Sequence, residues 1–228
     1  MENKIINIAI VEKVASALKE LKKQMVFVGG AVISLYTDDP AADEIRPTQD
    51  IDMTINLHGF GAWTKIQVRL AELGFHPNPQ GHAICSYTYQ DVLIDIMPSE
   101  DGPIGPANPW YQPGFSYLVE VALQNEKVSI LSAPYFLATK FSAFADRGKD
   151  YRTSHDFEDI IYVLDNRINI VDEIIDSDEA VKGFLVERFK EVKAHSQFEE
   201  IISVQIHPLM VAERHPLILE KIEKIISL

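Results

Sequence analysis

Asp50-Ile51-Asp52-Met53-Thr54-Ile55 alternates polar with apolar side chains. That is the pattern of a strand with one face turned to a core. Asp50 and Asp52 then share the other face, although aspartate is depleted in strands. Two neighbouring carboxylates repel unless a cation lies between them. The plain alternative is a solvated acidic strand on an acidic protein.

Upstream, Met25-Val26-Phe27-Val28 is an apolar run that stops at Gly29-Gly30. It reads as a buried strand ended by glycines. Ala31 to Tyr36 fits a short helix, and residues 37–49 form a polar loop. Without side chains, Gly29-Gly30 lets an anion approach the backbone, and a helix opening there offers its N–H groups to phosphate. The competing reading is a simple turn. Downstream, Phe60 to Leu73 reads as a helix with Gly74 just past its end. His82–Gln90 and Asp91–Met97 are the arms of a hairpin. Asp95 sits in the second arm between Ile94 and Ile96, where a charge needs a partner. That partner is either a metal ion or a salt-bridging cation. Asp91 shares its face but lies at the strand entrance. Asp50, Asp52 and Asp95 together form a hard-oxygen set suited to Mg2+ or Mn2+.

Residues 5–21 read as an amphipathic helix on Ile10, Val14, Leu18 and Leu21. Residues 98–114 form an irregular loop rich in Pro and Gly, where Trp110-Tyr111 is a candidate lid over a base. Phe115–Leu123 and Lys127–Leu131 read as strands around Gln124-Asn125-Glu126. From Pro134 the pattern is helical, over 134–146, 155–166, 178–195, 197–206 and 213–227. His207-Pro208 and His215-Pro216 are expected to interrupt the last stretch. The expected organisation is an α/β domain over 1–132 and a helical domain over 133–228.

The formal net charge is −13. It argues against broad nucleic-acid binding, which needs many Lys and Arg contacts to phosphate. The single cysteine, Cys85, allows no intrachain disulfide and no Cys-based zinc cluster, and fits a reducing cytoplasm. No run of about 18 apolar residues suggests a membrane span, and the first residues lack a signal-peptide core.

Val26-Phe27-Val28-Gly29-Gly30, Asp50-Ile51-Asp52-Met53 and Ile94-Asp95-Ile96 together resemble the signature of the DNA polymerase β-like nucleotidyltransferase superfamily. The closer resemblance is to the AbiEii-type, type IV toxin nucleotidyltransferases. It extends to Arg46-Pro47-Thr48-Gln49-Asp50-Ile51-Asp52, to Lys140 through Arg147, to Lys149-Asp150 and to Asp156-Phe157-Glu158-Asp159. The likeness spans roughly residues 7 to 166. It implies an α/β nucleotidyltransferase fold, a mixed β-sheet flanked by helices and followed by a helical C-terminal region. Two departures stand out. The stretch between Gly30 and Asp50 is longer than usual, and Gly-Gly replaces the common Gly-Ser, with Ser34 a helical turn on.

The resemblance implies transfer of an NMP from an NTP to an acceptor hydroxyl. Asp50, Asp52 and Asp95 would bind metal and catalyse. Gly29, Gly30, Arg46, Thr48, Lys140 and Arg147 would bind the nucleotide, with Asp156 and Asp159 orienting the last two. The acceptor would be RNA, such as a tRNA end, or a small molecule such as an aminoglycoside. An antitoxin protein is a possible partner in such systems. For Lys140 and Arg147 the alternative is ordinary surface charge, with Lys140 paired to a nearby acid. For the whole chain it is an inert nucleotidyltransferase-like domain that binds nucleotide or a protein. His155-Asp156 matches a phosphohydrolase His-Asp dyad, but the sequence offers no upstream His-rich helix to supply the further ligands such sites need, and no histidine spacing builds a zinc site.

Overall fold

The computed structural model describes residues 2–42, 45–48, 50–57, 60–81, 85–102, 105–147 and 150–228, with the side chain of Phe60 left aside. The chain forms two compact units, Met1–Leu35 with Glu44–Ser132, and Tyr36–Asp43 with Ala133–Leu228. The segment Tyr36–Asp43 thus belongs with the C-terminal helices, whereas a single division near residue 132 places it in the first unit.

The first unit is built on a seven-stranded mixed sheet. Its strands are β1 (Met25–Val28), β2 (Asp50–Ile55), β3 (His76–Pro77), β4 (Ser86–Tyr89), β5 (Val92–Pro98), β6 (Leu118–Ala122) and β7 (Lys127–Leu131), in the order β3-β4-β5-β2-β1-β7-β6. β2 runs parallel to β5 and β1 runs parallel to β7; the remaining pairs are antiparallel. Every residue of β1 is buried, as its unbroken apolar run requires of a central strand.

The alternation in β2 has the expected physical meaning. Ile51, Met53 and Ile55 are buried on one face and align with Ile94, Ile96 and Pro98 of β5. Tyr87 sits opposite Ile94 and meets Trp63 edge-on at 6.3 Å. Helix α2 (Phe60–Glu72) therefore packs on that face through Trp63, Ile66 and Leu70. The opposite face carries Asp50, Asp52 and Asp95. Helix α1 (Glu2–Leu18) buries Asn7, Val11, Val14, Ala15 and Leu18 and continues as a 3-10 turn over Lys19–Gln24.

The short helix expected over Ala31 to Tyr36 is present as a 3-10 helix, Gly30–Tyr36. Other local expectations are corrected. Residues 98–114 are not wholly irregular: Tyr111–Gly114 forms a short α3, with Tyr111 buried. Phe115–Tyr117 is a 3-10 turn, so β6 begins only at Leu118. The hairpin turn is marked by Gln90 at φ 54°, and His82–Ile84, read as part of its first arm, fall outside the described residues.

The second unit contains α4 (Ala133–Asp146), α5 (His155–Asn166), α6 (Ile170–Ile175), α7 (Glu179–Lys193), α8 (Phe198–Ser203) and α9 (Val211–Ile226). α4 packs against α5, α6 and α7, and α9 closes the other side against α5, α6 and α7. Aromatic contacts seal this core, among them Phe141–Phe189 at 5.1 Å and Tyr36 stacked on Phe136 at 4.2 Å. Ser154 caps α5 by accepting from the Phe157 N–H, and Asp178 caps α7 by accepting from Ala180 and Val181. The Pro216 interruption does not occur. α9 runs through it, because only one backbone donor is lost and the stripe Ile218, Ile222 and Ile225 is buried. Among the described residues, no helix is long and apolar enough to cross a membrane.

Candidate active site

β2 and β5 are held in a parallel register that sets Asp52 directly against Asp95. Neighbouring strands are about 4.8 Å apart, and directly aligned residues project from the same face. The two carboxylates are therefore neighbours on the face away from α2. Asp50 precedes them on that face by one strand repeat and is exposed. The Thr48 hydroxyl donates to Asp50 Oδ1 at 2.9 Å. Among the described residues, no three His, Cys, Asp or Glu side chains converge as a ready-made metal cluster. The structure thus brings Asp52 and Asp95 together and places Asp50 beside them, with its carboxylate turned to Thr48.

The diglycine closes the site on the β1 side. Val28 lies opposite Asp52 across the antiparallel β1–β2 pair. Gly29 has φ +72°, a conformation glycine adopts freely and other residues rarely do. A Cβ there would fall 2.1 Å from Asp52 Oδ2. A Cβ on Gly30 would fall 2.9 Å from Nη2 of Arg46. Bare backbone is thus set against the Asp52 carboxylate and the Arg46 guanidinium. Ser34, one helical turn beyond the diglycine and not expected to replace the missing hydroxyl, is buried.

The β5 side carries a residue that sequence reasoning missed. Ser86, opposite Asp95 on β4, is buried, and its hydroxyl donates to Asp95 Oδ1 at 2.5 Å. Alternation along the hairpin was a usable signal, since it places Ser86 and Asp95 on one face. Burial, and then the Asp95 charge, push the Cys85 thiol above its ordinary pKa. Asp91 is set apart: its exposed carboxylate pairs with Lys13 at 2.7 Å.

The loop into β2 is pinned from α1. Asn3 Nδ2 donates to the Ile45 carbonyl at 2.9 Å. Asn7 Nδ2 donates to the Arg46 carbonyl, and the Thr48 N–H donates to Asn7 Oδ1, each at 3.4 Å.

Carboxylate oxygens, a like-charge pair and open backbone fit a divalent cation. Asp52 and Asp95 would hold it, with Asp50 joining when its carboxylate turns from Thr48.

Lys140 and Arg147 lie in the helical unit. Lys140 is buried, and its ammonium contacts Asp159 Oδ2 at 2.6 Å and Asp156 Oδ1 at 3.3 Å. Arg147 Nη1 meets Asp156 Oδ2 at 3.1 Å, while its side chain is 75% exposed. The structure thus ties Lys140 to Asp156 and Asp159, the acids expected beside it, in a buried cluster rather than as surface charge. Lys149 falls outside the described residues. Trp63 is core, and Tyr111 is buried at the start of α3.

The chain was compared with known proteins. No curated protein matches it. Among solved structures, it resembles the crystal structure of an antigenic nucleotidyltransferase-like protein from Paracoccidioides brasiliensis, with TM-score 0.55 and 19% identity over 88% of this chain and 93% of that one. At that identity the likeness is one of fold. The sequence model of the family described as "Nucleotidyl transferase AbiEii toxin, Type IV TA system" matches residues 14–224. With that match across most of its length, the chain belongs to the AbiEii family and is a nucleotidyltransferase.

Proposed function

We propose that this protein moves an NMP from an NTP to an acceptor hydroxyl, using Asp50, Asp52 and Asp95 to hold Mg2+ or Mn2+. The observation that carries this reading is the Asp52–Asp95 alignment across β2 and β5 with Gly29 closed against Asp52. A divalent ion, when bound, supplies charge neutralisation at the phosphates and lowers the barrier to losing the acceptor proton.

The chain's own residues account for the rest. Gly29-Gly30 admits the triphosphate to within hydrogen-bond reach of the backbone, and Arg46 lies over Gly30 to offset phosphate charge. Thr48 holds Asp50 until nucleotide binds. Ser86 fixes Asp95 through Oδ1, and Asp95 accepts the proton of the attacking hydroxyl. The acceptor oxygen bonds to the α-phosphorus, the bond from that phosphorus to the bridging oxygen breaks, and pyrophosphate departs. In the helical unit, Lys140 sets Asp156 and Asp159, leaving exposed Arg147 available to an anionic substrate.

The acceptor is an RNA end, in keeping with a type IV toxin, or a cationic small molecule such as an aminoglycoside, which would suit a chain of net charge −13. An antitoxin partner goes with the first acceptor. The test is incubation with each α-labelled NTP, Mg2+ and either total RNA or aminoglycosides. Label in RNA supports the toxin reading, and label in the drug supports a resistance-type reaction. Nucleotide-dependent thermal stabilisation without label in either supports the inert-binder alternative. Absence of both contradicts the nucleotide reading.

A further inference from the structure

Asn7 is fully buried on α1, in line with the apolar stripe Val11, Val14 and Leu18. A buried amide persists where both its donor and its acceptor are used. Here both are used on one short stretch of chain. Nδ2 donates to the Arg46 carbonyl, and Oδ1 accepts from the Thr48 N–H. One turn earlier, Asn3 bonds the Ile45 carbonyl. A single helix face therefore grips three consecutive backbone anchor points of the segment that leads into β2.

That segment carries two of the groups assigned above. Arg46 sends its guanidinium over Gly30, and Thr48 sends its hydroxyl to Asp50. An apolar side chain at position 7 would continue the stripe and pack well, yet it would strip both bonds from the loop. An amide at this position serves the loop rather than the helix.

We propose that Asn7 is a positioning residue of the active site: its amide sets the backbone at Arg46 and Thr48, and through them the guanidinium over Gly30 and the hydroxyl on Asp50. Asn3 and Asn7, which precede the family match, thereby contribute to the site. The kinetic half of this proposal rests on the nucleotidyl-transfer reading; the structural half does not.

The test uses the full chain, with Asn7→Leu and Asn7→Asp. Leucine keeps the stripe packed and removes both bonds. Aspartate keeps the acceptor for the Thr48 N–H and removes the donor to Arg46. Amide exchange, read residue by residue by NMR, should accelerate at Thr48 about tenfold in Asn7→Leu. Amides of β1 and β5 should keep their wild-type protection, and Asn7→Asp should lie between Asn7→Leu and wild type. Unchanged Thr48 protection in Asn7→Leu, or equal protection in the two variants, overturns the proposal. In transfer assays, KM for NTP should rise about tenfold with kcat within about twofold, the sign of lost ground-state positioning. A fall in kcat with unchanged KM overturns the kinetic half. If wild type transfers no label, the exchange measurement still decides the Asn7 proposal, so its failure and that of the transfer reading are distinguishable.

Discussion

Asp52 and Asp95 are aligned across the parallel strands β2 and β5, with Asp52 against Gly29 on one side and Asp95 against Ser86 on the other. Nothing about the sheet requires this pairing. Two carboxylates at strand spacing oppose each other by an amount on the order of 1 kcal/mol or more at the effective dielectric of a protein surface. The aligned pair sits beside the diglycine turn, the place proposed for a cation.

Mg2+ should raise the melting temperature of wild type and leave that of Asp52→Asn nearly unchanged, since only wild type keeps both proposed ligands. Calorimetric melts in EDTA and in Mg2+ make the comparison. An equal Mg2+ shift in the two proteins would contradict Asp52 as a ligand.

Gly29→Ala should both destabilise and inactivate. A left-handed φ of +72° costs a non-glycine residue about 1–2 kcal/mol, and the added Cβ collides with the Asp52 carboxylate. A urea titration should show a loss of about 2 kcal/mol or more. Stability within about 0.5 kcal/mol of wild type would mean that the turn relaxes and Gly29 is not bound to that geometry.

The ion cluster of the helical unit should be strongly coupled. Lys140→Met leaves Asp159 and Asp156 buried with one cation fewer, a change that typically costs about 3–5 kcal/mol. Adding Asp159→Asn should recover a substantial part of that loss, so the two substitutions should be far from additive in chemical denaturation. Additive losses would refute the pairing.

Much of the sheet could be read from the chain itself. Met25–Val28 and Asp50–Ile55 appear with the bounds their patterns suggest, and so does the helix His155–Asn166, because each is a clear period between clear breaks. The three acids could be picked out because aspartate is out of place in a strand. What could not be read was set by tertiary contact. Tyr36–Asp43 looks like part of one long loop, yet the N–H groups of Asp38 and Asp39 bond the Asn166 carbonyl, and Arg214 grips Asp39. Lys140 meets Asp156 and Asp159 across a loop, a pairing that only the family resemblance suggests and no helical spacing predicts. Pro216 suggests a break, but the buried isoleucines of α9 outweigh it. Asn7 looks like a polar interruption of an apolar stripe until the loop it holds is seen.

Acid should loosen the anchor of Tyr36–Asp43 in a definable way. The Ala41 N–H, then the Arg214 guanidinium, hold Asp39 below its ordinary value of 3.8. A carboxylate with a lowered folded pKa adds stability that is present above 3.8 and lost as pH falls through the folded value. Between about pH 4 and pH 2, wild type should therefore lose more stability than Asp39→Asn, which keeps an acceptor for the Ala41 N–H but carries no charge. Parallel acid profiles would contradict the assignment.

The account stands most directly on the transfer of label from α-labelled NTP in the presence of Mg2+, compared between wild type, Asp52→Asn and Asp95→Asn at matched folded fractions. Wild type should give acceptor-bound label, and either variant a fall of about a thousandfold or more. Label that persists in either variant at near wild-type rates would contradict the assignment of Asp52 and Asp95 as the heart of the site.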